Sequence, residues 1–260
     1  MTKDSYVVFT ESSSYQGTRP GQQDRCYSET DESGRYAFGI VCDGMGGMES
    51  GEVASTEAIQ YFCKDFKKQQ MLLENYHDFF IREVEMIDST IAALENKDGG
   101  KLNTGTTLVA AAIRDGMAQW VSVGDSRIYL IRDDNIYSLV REHNYMLVLD
   151  QQFKKGMITQ EEYLKESQYG AGLISYIGMG DISIIDANEQ GLELIDHDLI
   201  LICSDGLSNA LKEERILEII RENPDHPGYL HRRLQEEARY ASANKTQDNT
   251  TLVTLLYRAI

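Results

Sequence analysis

The chain has 260 residues, of which 42% are hydrophobic, so it is long enough to bury a substantial core. Its 42 acidic and 25 basic residues give a formal net charge of −17, which argues against nucleic-acid partners because these are held mainly by Lys and Arg. The longest apolar stretches, such as residues 199–203, are too short to span a bilayer, and the start lacks the basic and apolar regions of a signal peptide. We therefore expect a cytoplasmic protein without membrane partners.

The first part of the chain predicts two strands followed by two helices. Residues 5–11 and 35–42 are rich in β-branched and aromatic side chains and are predicted strands. Residues 50–66 and 71–96 carry apolar side chains at steps of three or four and are predicted helices. In the second helix the apolar stripe begins at Leu72, and the whole stripe is expected to lie on a core.

The middle of the chain predicts a meander followed by an insertion. Residues 106–140 contain three short β-rich runs, with a hairpin turn at Asp133-Asp134-Asn135. Residues 142–180 are more polar and irregular and predict a flap-like insertion over the sheet. Within them, Thr159 and Glu162 form a capping box that begins a short helix.

The last part of the chain returns to regular elements. A buried strand is predicted at residues 199–203, helices at 211–223 and 229–241, and a final strand at 249–257. No Pro/Ser/Gly-rich linker or repeat divides the sequence, so residues 1–260 are predicted to form one domain. The order of the elements predicts an α+β fold with antiparallel sheets and helical layers.

Acidic residues stand at one end of several predicted strands. Apolar runs are followed by Asp43, Asp125 and Asp205, and the last strand begins after Asp248. In an antiparallel arrangement the end of one strand and the start of its neighbour share an edge, so these four side chains are expected to converge. Asp24, which precedes another short run, is expected to join them.

Converging carboxylates need a counter-charge, because two of them about 4 Å apart repel by roughly 4 kcal/mol at an effective dielectric of 20. The four cysteines and five histidines show no zinc-site spacing, so a metal here is expected to be held by oxygen, as Mg²⁺, Mn²⁺ or Ca²⁺ are. Gly44 follows Asp43 and leaves its carbonyl open to the same ion. A single Asp-Gly pair is most often only a turn, and it is the recurrence at several strand ends that favours a shared metal site.

Six short blocks carry a resemblance to a known family. They are Arg19-x-x-Gln22-Gln23-Asp24, Asp43-Gly44-Met45-Gly46-Gly47, Thr104-Gly105-Thr106-Thr107, Gly124-Asp125-Ser126-Arg127, Ser204-Asp205-Gly206-Leu207 and Gln247-Asp248-Asn249. In this order they resemble the blocks of the metal-dependent protein phosphatases of the PPM family (type 2C), most closely its bacterial branch. The match runs through nearly the whole chain.

The resemblance implies a fold, a metal centre and residue roles. The fold is a central antiparallel β-sandwich flanked by helix pairs on both sides, with two Mn²⁺ or Mg²⁺ ions at one end. Implied roles are a bridge between both metals for Asp43, a carbonyl ligand for Gly44, ligands of the other metal for Asp205 and Asp248, water-mediated contacts for Asp24 and Asn249, phosphate binding for Arg19, and a weaker third metal for Asp125.

The resemblance also implies an activity. Members hydrolyse phosphoserine and phosphothreonine in proteins by attack of a water that bridges the two metals, without a protein nucleophile. Substrates are then expected to be phosphoproteins made by a Ser/Thr kinase, and the enzyme is expected to act as a monomer. An acidic surface repels such substrates, which makes a phosphate-binding guanidinium at Arg19 more important.

Three positions depart from the family's usual pattern. Gln22 replaces an Asn, Met45 stands where eukaryotic members carry a His that protonates the leaving group, and Asn209 replaces an Asp of the third metal site. We therefore expect the third site to be weak or empty. An alternative function is a metal-stabilised domain that recognises phosphoproteins without catalysis.

A dinucleotide-binding loop is a further alternative for the glycines after Asp43. They follow a strand and precede a helix, but Glu49 takes the last position of the Gly-x-Gly-x-x-Gly pattern. A carboxylate there would repel a pyrophosphate, so this alternative is disfavoured.

Overall fold

The computed structural model describes residues 6–46, 50–222, 226–243 and 246–260. Four residues that enter the predictions above lie outside these ranges: Ser5, Gly47, Glu49 and Asn223. Within the ranges, no helix has both the length and the apolar character needed to cross a membrane.

The strands and helices of these residues occur in the following order along the chain. The strands are β1 (Tyr6–Tyr15), β2 (Arg25–Thr30), β3 (Tyr36–Cys42), β4 (Gly44–Met45), β5 (Gly105–Thr106), β6 (Leu108–Arg114), β7 (Met117–Val123), β8 (Arg127–Arg132), β9 (Asn135–Ser138), β10 (Asp186–Ala187), β11 (Leu192–Glu193), β12 (Leu199–Cys203) and β13 (Thr250–Ala259). The helices are α1 (Gly51–Gln69), α2 (His77–Ala92), α3 (Tyr145–Lys154), α4 (Gln160–Glu166), α5 (Asp205–Ser208), α6 (Glu213–Glu222) and α7 (Pro227–Ala241).

Two antiparallel sheets face each other and form a sandwich. The first has the strand order β1-β13-β12-β8-β9, and the second has the order β10-β7-β6-β3-β2, with β11 also paired to β7. Alternate side chains of the central strands point between the sheets, where Val41, Val109, Ile202 and Val253 are fully buried. This inner layer joins the two sheets into one core.

A helix pair covers the outer face of each sheet. On the second sheet, Phe62 and Phe66 of α1 pack on Phe38 of β3, and Phe80 of α2 packs against Phe62. On the first sheet, apolar residues of α6 and α7 pack on β12 and β13. The predicted α+β sandwich with helix pairs on both sides is thus confirmed, since each sheet must cover its second apolar face.

The predicted start of the second helix was wrong. Helix α2 begins at His77, and Leu72 is 80% exposed rather than on the core. The side chain of Asn75 accepts a hydrogen bond from the His77 backbone N–H (2.7 Å) and so starts the helix there. The apolar period before Asn75 belongs to a turn, whose carbonyls accept hydrogen bonds from Arg114.

Other elements also differ from the predictions. Strand β2 was missed because none of its residues is fully buried and its side chains lack a clear alternation. Helix α3 was missed inside the polar insertion, whereas the capping box at Thr159 and Glu162 is present at the start of α4. The predicted hairpin turn joins β8 to β9, with positive φ angles at Asp133 and Asp134.

Glu83 of α2 predicts a pH dependence of stability. Its side chain is 6% exposed, its Oε1 has no hydrogen-bond partner in the described part of the chain, and burial raises its pKa from 4.5 to about 7. Repulsion from Asp65 adds to this shift, and Lys68 and Arg82 oppose it. Between these two pKa values the folded protein binds more protons than the unfolded chain, so stability falls as the pH rises.

We therefore expect the unfolding free energy of Glu83→Gln to rise by about 1 to 3 kcal/mol relative to that of wild type as the pH is raised from about 4.5 to about 8. Urea denaturation of both proteins at each pH measures this. Glu85→Gln, on the exposed face of the same helix, is the matched control and should show no such gain. An equal pH dependence in Glu83→Gln and wild type would contradict the assignment.

Candidate metal centre

The predicted strand-end aspartates lie around one cavity. Strands β3 and β7 both pair antiparallel with β6, so they run in the same direction and end at one edge of their sheet. In the facing sheet, β12 ends beside the start of β13. A cavity of about 340 Å³ at this end is lined by Asp43, Asp125, Asp205 and Asp248.

Several other parts of the chain contribute to the cavity wall. Arg19 and Gln23 belong to the loop between β1 and β2, and Gly44 follows Asp43. Ala171 and Leu173 come from the insertion, which therefore contributes to the rim of the cavity. All the residues predicted as direct ligands or phosphate binders thus line it, while their metal-binding roles remain predictions.

Threonines of the block at residues 104–107 hold the backbone of Asp43. The Asp43 N–H donates to Thr107 Oγ1 (3.0 Å), and its carbonyl accepts from Thr106 Oγ1 (2.9 Å) and from the Thr107 N–H (2.8 Å). Thr107 Oγ1 also bonds Ser126 Oγ (2.8 Å), next to Asp125. Sequence reasoning noted the Thr-Gly-Thr-Thr block but did not predict this positioning role, which depends on pairing of β4 with β5.

Close backbone packing requires glycine at two positions in the six short sequence blocks, Gly44 and Gly206. A Cβ at Gly44 would collide with the carbonyls of Gly51 and Gln23, and a Cβ at Gly206 would collide with the carbonyl of Asn249. The close approach of α1 therefore requires a glycine at position 44. This is a second reason for glycine there, besides the open carbonyl expected from the sequence.

Asp24 lies beneath the cavity and is only 1% exposed. Its carboxylate accepts a hydrogen bond from Ser204 Oγ (2.8 Å), whereas its Oδ1 is buried without a hydrogen-bond donor among the described residues. Interaction with the Asp43 carboxyl group also affects the pKa of Asp24, so the two carboxyl groups are close neighbours. Two carboxyl groups in this position must share a proton or a cation.

The cavity raises the pKa of each of these carboxyl groups. Burial raises the pKa of Asp24 to about 6 and that of Asp125 to about 7, with repulsion from Asp205 adding to both. The pKa of Asp43 lies well above its usual range because of burial and repulsion from Asp24 and Asp205. Burial and repulsion from Asp248 raise the pKa of Asp205. Ionised carboxylates without a counter-ion are therefore unfavourable here, and the site favours the binding of protons or cations.

In this structure, carboxylates of the site interact with neighbouring side chains. Among the described residues, no three Asp, Glu, His or Cys side chains converge at metal-ligand distance. Instead, Arg19 forms an ion pair with Asp248, and Asn209 Nδ2 donates to Asp205 (3.0 Å). The donor set is entirely oxygen and carries excess negative charge, so it fits hard divalent ions once these bonds are exchanged for coordination.

Comparison with known proteins identifies the family. A sequence profile of protein phosphatase 2C matches residues 14–247, which is most of the chain. The chain belongs to the protein phosphatase 2C family. It is therefore a protein phosphatase.

Relatives of the same family support this assignment. The protein phosphatase PhpP of Streptococcus pneumoniae is 30% identical over 203 residues, which cover 78% of this chain and 79% of that protein. The serine/threonine phosphatase stp of Listeria welshimeri is 28% identical over 184 residues, 70% of this chain and 71% of that protein. A solved structure of the catalytic domain of the serine/threonine phosphatase PstP, in complex with two manganese ions, has a TM-score of 0.73 and 26% identity and covers 97% of this chain and 99% of that one.

Two departures from the protein phosphatase 2C pattern have clear structural roles. Gln22 Oε1 accepts from the Asp24 N–H (2.9 Å), and its Nε2 donates to Ser14 Oγ (2.6 Å), so the longer amide holds the loop that carries Asp24. Asn209 donates to Asp205 and contributes no charge to a third metal. The expectation of a weak or empty third site remains a prediction.

Asn249 fastens the loop that carries Arg19. Its Oδ1 accepts from the Gln23 N–H (2.8 Å), and its Nδ2 donates to the carbonyls of Gln16 (2.7 Å) and Gly21 (3.0 Å). The side-chain amide of Asn249 thus holds the backbone of this loop. Its water-mediated metal contact stays a prediction. The sequence signal for this loop role was only its place beside Asp248.

His143 fastens the turn that carries Asp125. The histidine is fully buried, its Nδ1 accepts from the Gly124 N–H (3.1 Å), and its backbone N–H donates to the Gly124 carbonyl (2.9 Å). Its Nε2 lies 3.5 Å from the carboxylate of Asp186, the first residue of β10. The histidine therefore links the insertion to the cavity as a hydrogen-bonded core residue.

Proposed function

We propose that this protein phosphatase hydrolyses phosphoserine and phosphothreonine in proteins, using two Mn²⁺ or Mg²⁺ ions. The side chains of Asp43, Asp205 and Asp248 and the carbonyl of Gly44 would hold the ions, and Asp125 would hold a weaker third ion. The observation that carries the proposal is the convergence of these acids with Arg19 around one cavity. The names of the relatives and the manganese in the PstP structure support it.

The chain's own groups provide charge, position and phosphate recognition. When bound, two such ions supply a shared, acidified water as the nucleophile and neutralise negative charge on the phosphate. The side chain of Arg19 is half exposed at the cavity, and its planar fork suits two phosphate oxygens. Asp24, fixed by Ser204 beneath the cavity, would orient a metal-bound water through its second carboxylate oxygen.

The cavity wall favours water as the nucleophile. Its described residues include no cysteine, serine or histidine, and the hydroxyl of Thr107 is engaged by Asp43 and Ser126. Met45 supplies no proton for the leaving group, so we assign that proton to solvent. The retention of Asp43, Asp205 and Asp248 together with Arg19 also favours an enzyme over a domain that only binds phosphoproteins.

The cellular setting belongs to the same proposal. The substrates would be phosphoproteins produced by a Ser/Thr kinase, and the enzyme would act on them as a cytoplasmic monomer. Because the chain carries a net charge of −17, its field repels phosphorylated proteins, and local positive groups at the cavity gain importance.

Hydrolysis of a phosphothreonine peptide, measured against Mn²⁺ concentration, tests the function. We expect turnover that rises and saturates with the metal, stops on chelation, and is much slower on a matched phosphotyrosine peptide. Absence of turnover under conditions where Mn²⁺ binding is demonstrated would overturn the proposal.

Metal binding should also be visible as a change in thermal stability. Ions that neutralise the acids bind only the folded chain, so Mn²⁺ at about 100 times its dissociation constant should raise the Tm by about 5 °C or more. We expect Asp205→Ala to lose most of this shift. Asp98→Ala, at an exposed acid outside the cavity, is the control and should keep it. Equal shifts in all three proteins would count against the assigned ligands.

A further inference from the structure

A small patch beside the metal centre carries positive charge on an acidic protein. It consists of Tyr15 at the end of β1 and of Arg232 and Arg239 on α7, which surround a cavity of about 170 Å³. Gln235 and Glu236 complete its lining. We call these five residues the Tyr15 patch.

The patch is built on a fixed helix face. Residues spaced by three or four along a helix share one side, which brings Arg232, Gln235 and Arg239 together. Gln235 Nε2 donates to Ser13 Oγ (3.0 Å) and to the Thr250 carbonyl (3.4 Å), and so anchors this face to β1 and β13. The two arginines therefore stand at defined places on either side of an anchored residue.

Tyrosine rings hold the two guanidinium groups. Arg239 lines the cavity beside Tyr15, and its guanidinium lies 5.4 Å from the Tyr240 ring centre. Interaction with the hydroxyls of Tyr240 and Tyr15 raises the pKa of Arg239. The guanidinium of Arg232 lies 5.5 Å from the ring centre of Tyr229. Such contacts orient the guanidinium groups without neutralising their charge.

The positive charge of these arginines is not cancelled locally. In the described part of the chain, neither Arg232 nor Arg239 has a carboxylate within ion-pair distance, and both are exposed. Glu236, which lines the same cavity, lies 3.4 Å from Arg233 in an ion pair of its own. The patch thus presents two free cationic groups where the net charge of the whole chain is −17.

The strand register places the patch close to the metal centre. Tyr15 lies opposite Thr250 in the pairing of β1 with β13, and Asp248 is two residues before Thr250. Asp248 lies just before β13, so with at most about 3.5 Å per residue along the chain and about 5 Å between strands, the backbones of Tyr15 and Asp248 are at most roughly 12 Å apart. An extended substrate peptide covers this distance in about three or four residues.

We infer that the Tyr15 patch binds acidic side chains of the substrate, three or four residues from the phosphorylated residue. This inference rests on the proposed function and specifies its substrate class as phosphoproteins with Asp, Glu or a second phosphate near the site of hydrolysis. The inference rests on charge complementarity. An acidic protein otherwise repels acidic segments, so it needs local cations to bind them.

Three phosphothreonine peptides with Glu, Ala or Lys at the third and fourth flanking positions test the inference. Exposed ion pairs are each typically worth about 0.5 kcal/mol, so two of them predict a KM for the Glu peptide about fivefold below that for the Ala peptide. In Arg232→Gln/Arg239→Gln the ratio of these KM values should fall to about one. In Arg232→Glu/Arg239→Glu the preference should pass to the Lys peptide.

A matched variant controls for total charge. Lys64→Gln/Arg82→Gln removes two exposed positive charges from α1 and α2, on the other side of the sandwich. It should keep the wild-type ratio of KM values. Loss of the preference in this control, or its retention in Arg232→Gln/Arg239→Gln, would overturn the inference.

Binding measured without turnover separates this inference from the proposed function. Fluorescence anisotropy of the labelled peptides reports affinity even if no peptide is hydrolysed, whereas failure of the proposed function appears as absence of turnover on all three. Equal affinities for the Glu and Ala peptides would overturn the inference. So would sedimentation showing a wild-type dimer that Arg232→Gln/Arg239→Gln dissociates, because the patch would then contact a second copy of the chain.

Discussion

Replacing Asp43 with asparagine should lower the metal-dependent turnover of a phosphothreonine peptide by about a thousandfold. Asparagine keeps the size of the side chain and the backbone bonds to Thr106 and Thr107, but it removes the charge proposed to bridge two ions. The main effect should fall on kcat, because the ions that this charge would help to hold would position and acidify the attacking water. Steady-state kinetics at saturating Mn²⁺ measure this.

The stability of the same variant distinguishes lost chemistry from lost folding. The raised pKa of Asp43 shows that its negative charge is unfavourable in the metal-free fold. Above the usual carboxyl pKa this charge lowers stability, so the neutral asparagine should melt at the same or a higher temperature than wild type in chelator. A variant that melts normally and retains full turnover would show that Asp43 is not part of the catalytic centre.

Replacing Arg19 with alanine should lower kcat/KM for the phosphopeptide by roughly a hundredfold. The guanidinium is proposed to grip the phosphate, and a charge-assisted fork to two oxygens strengthens as charge develops in the transition state. Both KM and kcat should therefore change. Kinetics of Arg19→Ala beside Arg19→Lys separate the two contributions, since lysine keeps the charge but not the fork.

Metal affinity provides a second measurement on Arg19. In this structure its guanidinium pairs with Asp248, a proposed metal ligand. Because both side chains are substantially exposed, that pair contributes little to stability, and its loss should leave the melting temperature nearly unchanged. Removing the competing cation should keep or raise the affinity for Mn²⁺. A weaker affinity in Arg19→Ala, measured by calorimetry, would contradict a phosphate-binding role and indicate a structural one.

The predictions agree best with the structure where they rest on a pattern within one short segment of the sequence. The apolar runs that end at Asp43, Asp125 and Asp205 have the period and composition of buried strands, and antiparallel pairing brings such ends to one edge. The prediction failed at Leu72, where a helical apolar period continues across a turn. A single polar side chain, that of Asn75, decided where the helix begins, and periodicity does not detect such a bond.

By itself, the sequence determined the α+β class, the acids at the strand ends and the order of the family's blocks, because these are written in short patterns of polarity and residue type. Only the tertiary structure decided which partner each charged group has. Arg19 and Asp248 are 229 positions apart, and Asp24 meets Ser204 from the facing sheet. Tyr15 meets Arg239 only because α7 packs across β1. Such pairs depend on how distant elements pack, and no local pattern records that packing.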